Sequence, residues 1–302
     1  MKTIYGSGKL KCRIKRPILT IGNFDGIHLG HMEIFKRLVK AAKKVRGTSV
    51  VYTFAPHPAK SMVPDAPPLL LQTEKQKMGA LACAKLDLCI IEPFTKSFSL
   101  LKADEFFGRI VLKRIKPVEI IAGHDLTFGR HRAGTVELLR ELCLKHNIKF
   151  GIVKPFFRNE TLISSTIIRK SLMSGDVETA NKMLGRPYSL AGTVVKGRGL
   201  GAEIGFHTAN LKTENELIPL RGVYITKTLA HISITNIGYN PTFGGGNLSI
   251  ETHILNFNGL LYGKTIEIEF YKRLRDEKIF DSPLALSNQI KKDIANAKRY
   301  FS

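Results

Sequence analysis

Up to about residue 186, short apolar runs alternate with stretches of helical spacing. Ile18, Leu19 and Ile21 predict a buried strand, and 49–54, 86–91, 118–122 and 150–153 predict four more. Between them, Leu29, Ile34, Phe35, Leu38 and Val39 lie on one helical face. Residues 75–85, 103–115 and 135–146 have the same period, with Asp104 or Thr135 placed to open their helices. Such alternation implies a parallel sheet covered on both faces, with ligands at the carboxyl ends of its strands. Beyond Gly185-Arg186-Pro187-Tyr188 the pattern changes. Residues 189–195, 222–226, 232–237, 248–255 and 265–270 read as strands separated by turn residues, and only 283–300 is clearly helical. This predicts an antiparallel barrel with a C-terminal helix, giving an α/β chain of two domains, 1–186 and 187–302. The second half does not repeat the first.

Two loops of the first half stand out. Residues 55–68 contain five of the 13 prolines (Pro56, Pro58, Pro64, Pro67 and Pro68), which excludes long regular structure and predicts a semi-rigid flap or a plain surface excursion. Gly123-His124-Asp125-Leu126-Thr127-Phe128-Gly129-Arg130 directly follows a predicted buried strand, where an α/β enzyme places substrate contacts.

Composition adds a preference for anions. Lys and Arg number 47 against 25 Asp and Glu, a formal charge of +22, which favours nucleic acid or nucleotide phosphates as partners. No RNP aromatic motif, zinc-finger spacing or dense basic tail accompanies the charge, which fits a general field better than a docking stripe. Cys12, Cys83, Cys89 and Cys143 show no metal-ligand spacing and read as reduced thiols. The apolar stretch near the N-terminus is broken by Gly22 and no run is long enough to span a bilayer, so no signal peptide and a cytoplasmic protein without membrane partners are expected.

The candidate chemistry centres on LTIGNFDGIHLGHMEIFKRL, residues 19–38. A strand ends at Ile21, Gly22 permits a sharp turn through Asn23-Phe24-Asp25-Gly26, and a helix starts near Leu29 with His28, Gly30 and His31 at its N-terminal end. Backbone N–H groups and the positive dipole end attract anions there, and Gly30 lets a phosphate approach. An HxxH pair alone is more often solvated or structural, and a metal site would need a third ligand. The full string, however, resembles the signature of the HxGH nucleotidyltransferases. That resemblance implies transfer of a nucleotidyl group, with the histidines bonded to the α-phosphate as charge builds. Ser164-Ser165-Thr166 and Arg169 lie ahead of and within another helix start; alone they read as an N-cap, and in such an enzyme they would grip the leaving phosphates.

The strings GNFDGIHLGH, YTFAPHP, GHDLTFGR, ISSTIIR and LMSGDVETANKMLGRPY, in this order, resemble the adenylyltransferase half of bacterial bifunctional riboflavin kinase/FAD synthetases. In the second half Gly197-Arg198-Gly199-Leu200-Gly201 is by itself only a glycine-rich turn. With Gly205-Phe206-His207-Thr208-Ala209-Asn210, Asn236-Ile237-Gly238, Pro241-Thr242-Phe243, Ile250-Glu251-Thr252-His253, Leu261-Tyr262-Gly263 and Leu274-Arg275-Asp276-Glu277 it resembles the kinase half. The resemblance implies a Rossmann-like nucleotidyltransferase domain followed by a riboflavin kinase barrel, using ATP to convert riboflavin to FMN and FMN to FAD. It makes Gly22, Phe24, Asp25, Gly30, Ser164, Ser165, Thr166, Arg169, Gly197, Gly199 and Gly201 nucleotide contacts. Phe54, Pro56, Pro58, Asp125, Phe128, Phe206 and Arg275 become flavin contacts. Thr208 and Asn210, on a turn, would hold Mg²⁺ with ATP, and Glu251 would be the base for the ribityl hydroxyl.

The chain departs from the family pattern at Ala202 (usually Arg), Glu203, His207 (usually Pro), His124 and Leu126. An FAD synthetase with a weak or lost kinase therefore stands as an alternative, and, from another class, so does a basic nucleic-acid-binding protein with an incidental nucleotide fold. The expected partners are ATP and flavins without nucleic acid, the expected state a monomer or weak homo-oligomer.

Overall fold

A computed structural model describes residues 1–62, 67–158, 160–197, 206–239 and 248–302. The chain divides into two compact units, Met1–Ser164 and Ser165–Ser302.

In the first unit six parallel strands, β1 (Lys2–Tyr5), β2 (Pro17–Ile21), β3 (Thr48–Ala55), β4 (Leu88–Pro93), β5 (Glu119–Gly123) and β6 (Lys149–Val153), lie in the order β1-β4-β3-β2-β5-β6. The five inner or long strands carry the apolar runs that predict them. β1 was not expected: KTIY is too short for a periodic signal, and at the sheet edge it leaves Tyr5 half exposed. Side chains alternate between two cores, as a sheet covered on both faces requires. Ile18 and Val51 pack with α1 (Leu29–Lys44) through Phe35 and Leu38. Leu19, Ile21, Val50 and Tyr52 point the other way, toward Phe106, Phe107 and Leu139.

Local sequence sets most helix starts. After α2 (Pro58–Met62), Thr73 caps α3 (Glu74–Cys83) in a reciprocal capping box with Gln76. The short α4 (Lys96–Ser99) is capped by Thr95, and Thr135 caps α6 (Val136–Lys145). Two expectations change. Asp104 lies inside the first turn of α5 (Ala103–Phe106), because Lys102 holds the N-cap position and Glu105 accepts its backbone N–H at 3.0 Å. The proline-rich stretch is also partly regular, since Pro58 sits at the first position of α2, where a missing N–H costs nothing. Pro64 lies outside the described residues. A hairpin of β7 (Phe157–Arg158) and β8 (Thr161–Leu162) ends the unit.

The second unit begins with α7 (Ser165–Met173) and α8 (Val177–Leu184) and continues through β9 (Tyr188–Val195), β10 (Thr208–Thr213), β11 (Gly222–Thr228), β12 (His231–Tyr239), β13 (Leu248–Ile254) and β14 (Thr265–Arg275) to α9 (Pro283–Phe301). The strands close into an antiparallel barrel, β10-β13-β12-β11-β14-β9. The two helices pack with it: Asn181 Nδ2 donates to the Phe270 carbonyl at 2.7 Å, and Leu220 N–H donates to that of Leu172 at 3.0 Å. Packing thus divides the chain before these helices, whereas the hydrophobic pattern changes after them. Thr208 to Asn210 is a strand rather than the expected turn. β10 buries only Leu211 fully, so its alternation is faint in the sequence.

One face of the barrel sheet carries a chain of buried hydroxyls, Thr228, Ser233, Thr226, Thr235 and Thr252, linked at 2.7–3.0 Å. A hydroxyl can both donate and accept, so these buried groups find hydrogen-bond partners in one another. On the other face Val223, Ile225 and Ile234 pack against Ala297 and Ile294 of α9. Arg275 donates from Nε and Nη2 to the buried Asp293 carboxylate, at 3.1 and 2.8 Å to Oδ2, and Gln289 Nε2 donates to Oδ1 at 3.0 Å. Replacing Asp293 by Ala strands a mostly buried guanidinium and is expected to destabilise the second unit by about 3–5 kcal/mol. Asp293→Asn, which keeps one acceptor, should lose less. Urea unfolding followed by near-UV circular dichroism checks both, and an unchanged midpoint for Asp293→Ala would refute this role.

Candidate active sites

The strand order reverses between β2 and β5: the chain moves outward from β2 through β3 to β4, then crosses back to β5 on the other side. Ligands of open α/β sheets bind at such a switch point, beyond the carboxyl ends of the strands. The β2–α1 turn and the loop after β5 both emerge there. His28 is the N-cap of α1, and its Nδ1 accepts the His31 N–H at 3.4 Å. With Nδ1 accepting, a neutral His28 ring carries its proton on Nε2 and presents that N–H as a donor. The two imidazoles stack with centroids 3.7 Å apart and planes 18° from parallel. A Cβ on Gly30 would come within 3.2 Å of the His28 ring and 3.6 Å of Phe156 Cβ, so glycine keeps the space beside the rings open.

Several residues expected to touch nucleotide or flavin also serve the fold. Phe24 is buried, with its ring folded over Gly22, where a Cβ would lie 2.8 Å away; it meets His31 edge-on at 5.2 Å and Phe35 at 4.9 Å. Its ring therefore props His31. Asp25 is buried, and its carboxylate accepts the Leu71 N–H at 3.0 and 3.2 Å. Phe128 packs in the core against Phe106, and Pro58 is buried at the start of α2. Half-buried Phe54 joins Tyr52, Phe94 and Phe98 in an aromatic cluster at the end of β3. Pro56 and Asp125 are exposed, with Asp125 Oδ1 3.2 Å from where a Gly123 Cβ would stand. Ser164 ends the first unit, and Ser165, Thr166 and Arg169 lie in the first helix of the second.

Sequence reasoning missed Lys77. Its Nζ donates to the Asn23 carbonyl at 2.6 Å and to Thr53 Oγ1 at 2.7 Å. Burial pulls its pKa down to about 8, against the opposing pull of Cys89, Asp25 and Glu74. The one available signal was spacing: Lys77 shares a helical face with fully buried Leu81 at i+4.

In the barrel, register brings several of the kinase-half candidates into one row. Asn210 pairs with Glu251, Glu251 with Asn236, Asn236 with Val223, and Val223 with Arg275. Directly paired residues share a face, so Asn210, Glu251, Asn236 and Arg275 form one row around the outside. Thr208, two residues before Asn210, points to the same side, opposite His253. The row thus brings a hydroxyl, two amides and a carboxylate together, a donor set of hard oxygens suited to a magnesium-bound nucleotide. A Cβ at Gly197 would collide with Asn210 Nδ2, so glycine there makes room for the Asn210 amide. Phe206 lies edge-on to His253 at 5.4 Å, and His253 Nδ1 is 2.9 Å from the His207 carbonyl oxygen. Arg275 gives Nε and Nη2 to Asp293 and Nη1 to the Asp276 carbonyl, so its guanidinium faces α9 as well as the row. Gly199 and Gly201, with Arg198, Ala202 and Glu203, lie outside the described residues, as do Pro241, Thr242 and Phe243.

Residues 12–167 match the FAD synthetase family and residues 184–301 the riboflavin kinase family. Over its full length the chain is 36% identical to a bifunctional riboflavin kinase/FMN adenylyltransferase of Buchnera aphidicola subsp. Schizaphis graminum, covering 99% of that protein. It is 32% identical to the enzyme of that name from Haemophilus influenzae, covering all of both chains. A solved structure titled as a macrolide-efflux protein from Streptococcus pneumoniae is similar throughout, with TM-score 0.87, 31% identity and 98% of each chain covered. Among the described residues no helix is long and apolar enough to cross a membrane. With an adenylyltransferase half and a kinase half matched in order, and relatives aligned end to end, this chain belongs to the bifunctional riboflavin kinase/FMN adenylyltransferases.

Proposed function

We propose that the two activities of this enzyme use two separate residue sets, the stacked histidines at the switch point for adenylyl transfer and the Asn210–Glu251 row for riboflavin phosphorylation. The observation that carries this reading is the placement of His28 and His31 at the start of α1, beyond the sheet's carboxyl edge. In adenylyl transfer a phosphate oxygen of FMN attacks the α-phosphorus of ATP, a P–O bond forms, and the bond to the departing pyrophosphate breaks. No protein nucleophile is needed. The work is electrostatic: imidazole N–H groups and the N-terminal dipole of α1 meet the charge that grows on the α-phosphate. Gly30 lets the phosphate reach the backbone, and Phe24 holds His31 in place from behind.

In the kinase half Glu251 accepts the proton of the ribityl primary hydroxyl as its oxygen attacks the γ-phosphorus of ATP; a P–O bond to the ribityl oxygen forms and the bond to the departing ADP breaks. Thr208 and Asn210 offer hydroxyl and amide oxygens on the same side of the sheet, and would hold Mg²⁺ shared with the nucleotide phosphates. When bound, that cation neutralises phosphate charge.

Replacing His28 or His31 by Ala is expected to lower FAD formation from FMN by roughly 10²-fold or more, the scale of one lost oxyanion donor, with riboflavin phosphorylation unchanged. Both products are measured by separating the flavins, and a parallel fall of FMN would make the histidines structural. Conversely, Glu251→Gln should slow riboflavin phosphorylation by roughly 10²- to 10⁴-fold and spare FAD formation from supplied FMN. For the cation, Asn210→Ala should raise the Mg²⁺ concentration that half-saturates the kinase step. An unshifted Mg²⁺ titration would remove Asn210 from the ligand set.

A further inference from the structure

The turn between β2 and α1 is an unfavourable piece of backbone. Phe24 has φ 50° and Ile27 φ 39°, with Gly26 at φ 81° between them. A β-branched residue in the left-handed region is an outlier, and such conformations persist only where the surroundings over-determine them. Residues 71–77 provide that support. Leu71 N–H donates to the Asp25 carboxylate, Gln72 Nε2 to the Phe24 carbonyl at 3.1 Å, and Lys77 Nζ to the Asn23 carbonyl at 2.6 Å. Lys77 also bonds Thr53 Oγ1, so one ammonium ties the turn to β3 and to α3 at once. Thr53 is fully buried and its Oγ1 lies 3.3 Å from the same Asn23 carbonyl. A lysine is a poor choice for packing alone, because its charge resists desolvation.

We propose that Lys77 is a positioning residue for adenylyl transfer: by fixing the Asn23 carbonyl to Thr53 it holds the turn that sets His28 and His31 against the α-phosphate. The inference rests on the role given above to the histidines. Displacing a catalytic group by about 1 Å can cost about 10²-fold in rate. Since the histidines act mainly on the transition state, the loss should fall on kcat rather than KM.

A pH signature follows. The titratable groups facing Lys77 are Asp25 from the turn, Glu74 from α3 and Cys89 from β4; the Cys89 thiol is pushed up to about 11 by burial. Lys77 therefore changes charge before Cys89 as pH rises. Below about pH 8 the ammonium makes charge-assisted bonds, and above it they weaken, so wild-type kcat for FAD formation should decline through that range. The same shift bears on stability with the opposite sign. Between the folded value near 8 and the unfolded value of 10.5 the unfolded chain binds more protons, so Lys77's contribution to stability rises with pH across that window.

The test compares full-length wild type, Lys77→Met, Lys77→Ala and His28→Ala for FAD formation, riboflavin phosphorylation and thermal unfolding. Lys77→Met should lower kcat for FAD formation by roughly 10- to 100-fold while moving KM for ATP and FMN by less than about 3-fold. It should lose the alkaline decline and leave riboflavin phosphorylation unchanged. Wild-type kcat, a loss confined to KM, or an alkaline decline that persists in Lys77→Met would overturn the proposal. If Lys77→Met is unfolded at the assay temperature, Lys77→Ala supplied with ethylamine decides: restored kcat supports the positioning role and no restoration rejects it. An impaired His28→Ala beside an unimpaired Lys77→Met rejects Lys77 alone, whereas an unimpaired His28→Ala rejects the histidine site itself.

Discussion

A parallel strand buried on both faces delivers its chain to the sheet edge with no further ladder to join, and at β2 that chain must start a helix almost at once. Between Ile21 and Leu29 it does so through a turn whose backbone is locally unfavourable, with Phe24 and Ile27 both at positive φ. Contacts from the segment leading into α3 and from α3 itself hold it: the Leu71 N–H on Asp25, the Gln72 amide on the Phe24 carbonyl and the Lys77 ammonium on the Asn23 carbonyl. The placement of both histidines depends on this turn. Its inward-facing groups explain why Asp25 and the Phe24 ring, although part of the recognisable string, are turned toward protein.

The barrel solves positioning differently. A closed sheet has no free edge, so each strand is held by two neighbours and register is set all the way round. One residue of slip in β13 would replace Glu251 on the outer face by Ile250 or Thr252, and would break the row with Asn210 and Asn236. The hydroxyl chain through Thr226, Ser233, Thr235 and Thr252 opposes such a slip, because moving one strand breaks hydrogen bonds between buried groups. On the outer face α9 is anchored by the Arg275–Asp293 pair at the end of the same row. Rigidity in the second unit thus comes from closure, and in the first from bracing of a single turn.

Both proposed reactions make and break P–O bonds with little covalent work for the protein, so each site is a set of donors and acceptors aimed at developing charge. The excess of Lys and Arg suits two anionic substrates, and it is spread along the chain rather than gathered in one dense run. In the first, helix-start N–H groups and two stacked imidazoles lie together at the start of α1. In the second, neutral oxygens and one carboxylate lie along a strand row.

How much of this was legible in the sequence varied by element. The inner strands were, because burial on both faces demands continuous apolar runs such as Leu88 to Ile91, and so was the cap Thr135, whose partner lies three residues away. His28 and His31 could be placed at a helix start from neighbouring residues alone. Edge strand β1 and the faintly alternating β10 could not be read, since neither buries enough apolar surface to leave a period. Nor could the assignments that depend on distant partners. Asp25 looks the same in sequence whether it faces a nucleotide or the Leu71 N–H, and Arg275 whether it faces a flavin or Asp293. Lys77 looks like any lysine of a surface helix until the fold brings Asn23 and Thr53 to its ammonium. Periodicity and capping are local and were determined by the sequence itself; which buried polar group meets which was decided only by tertiary structure, because a hydrogen bond requires a partner that the chain here supplies from 18 to 54 residues away.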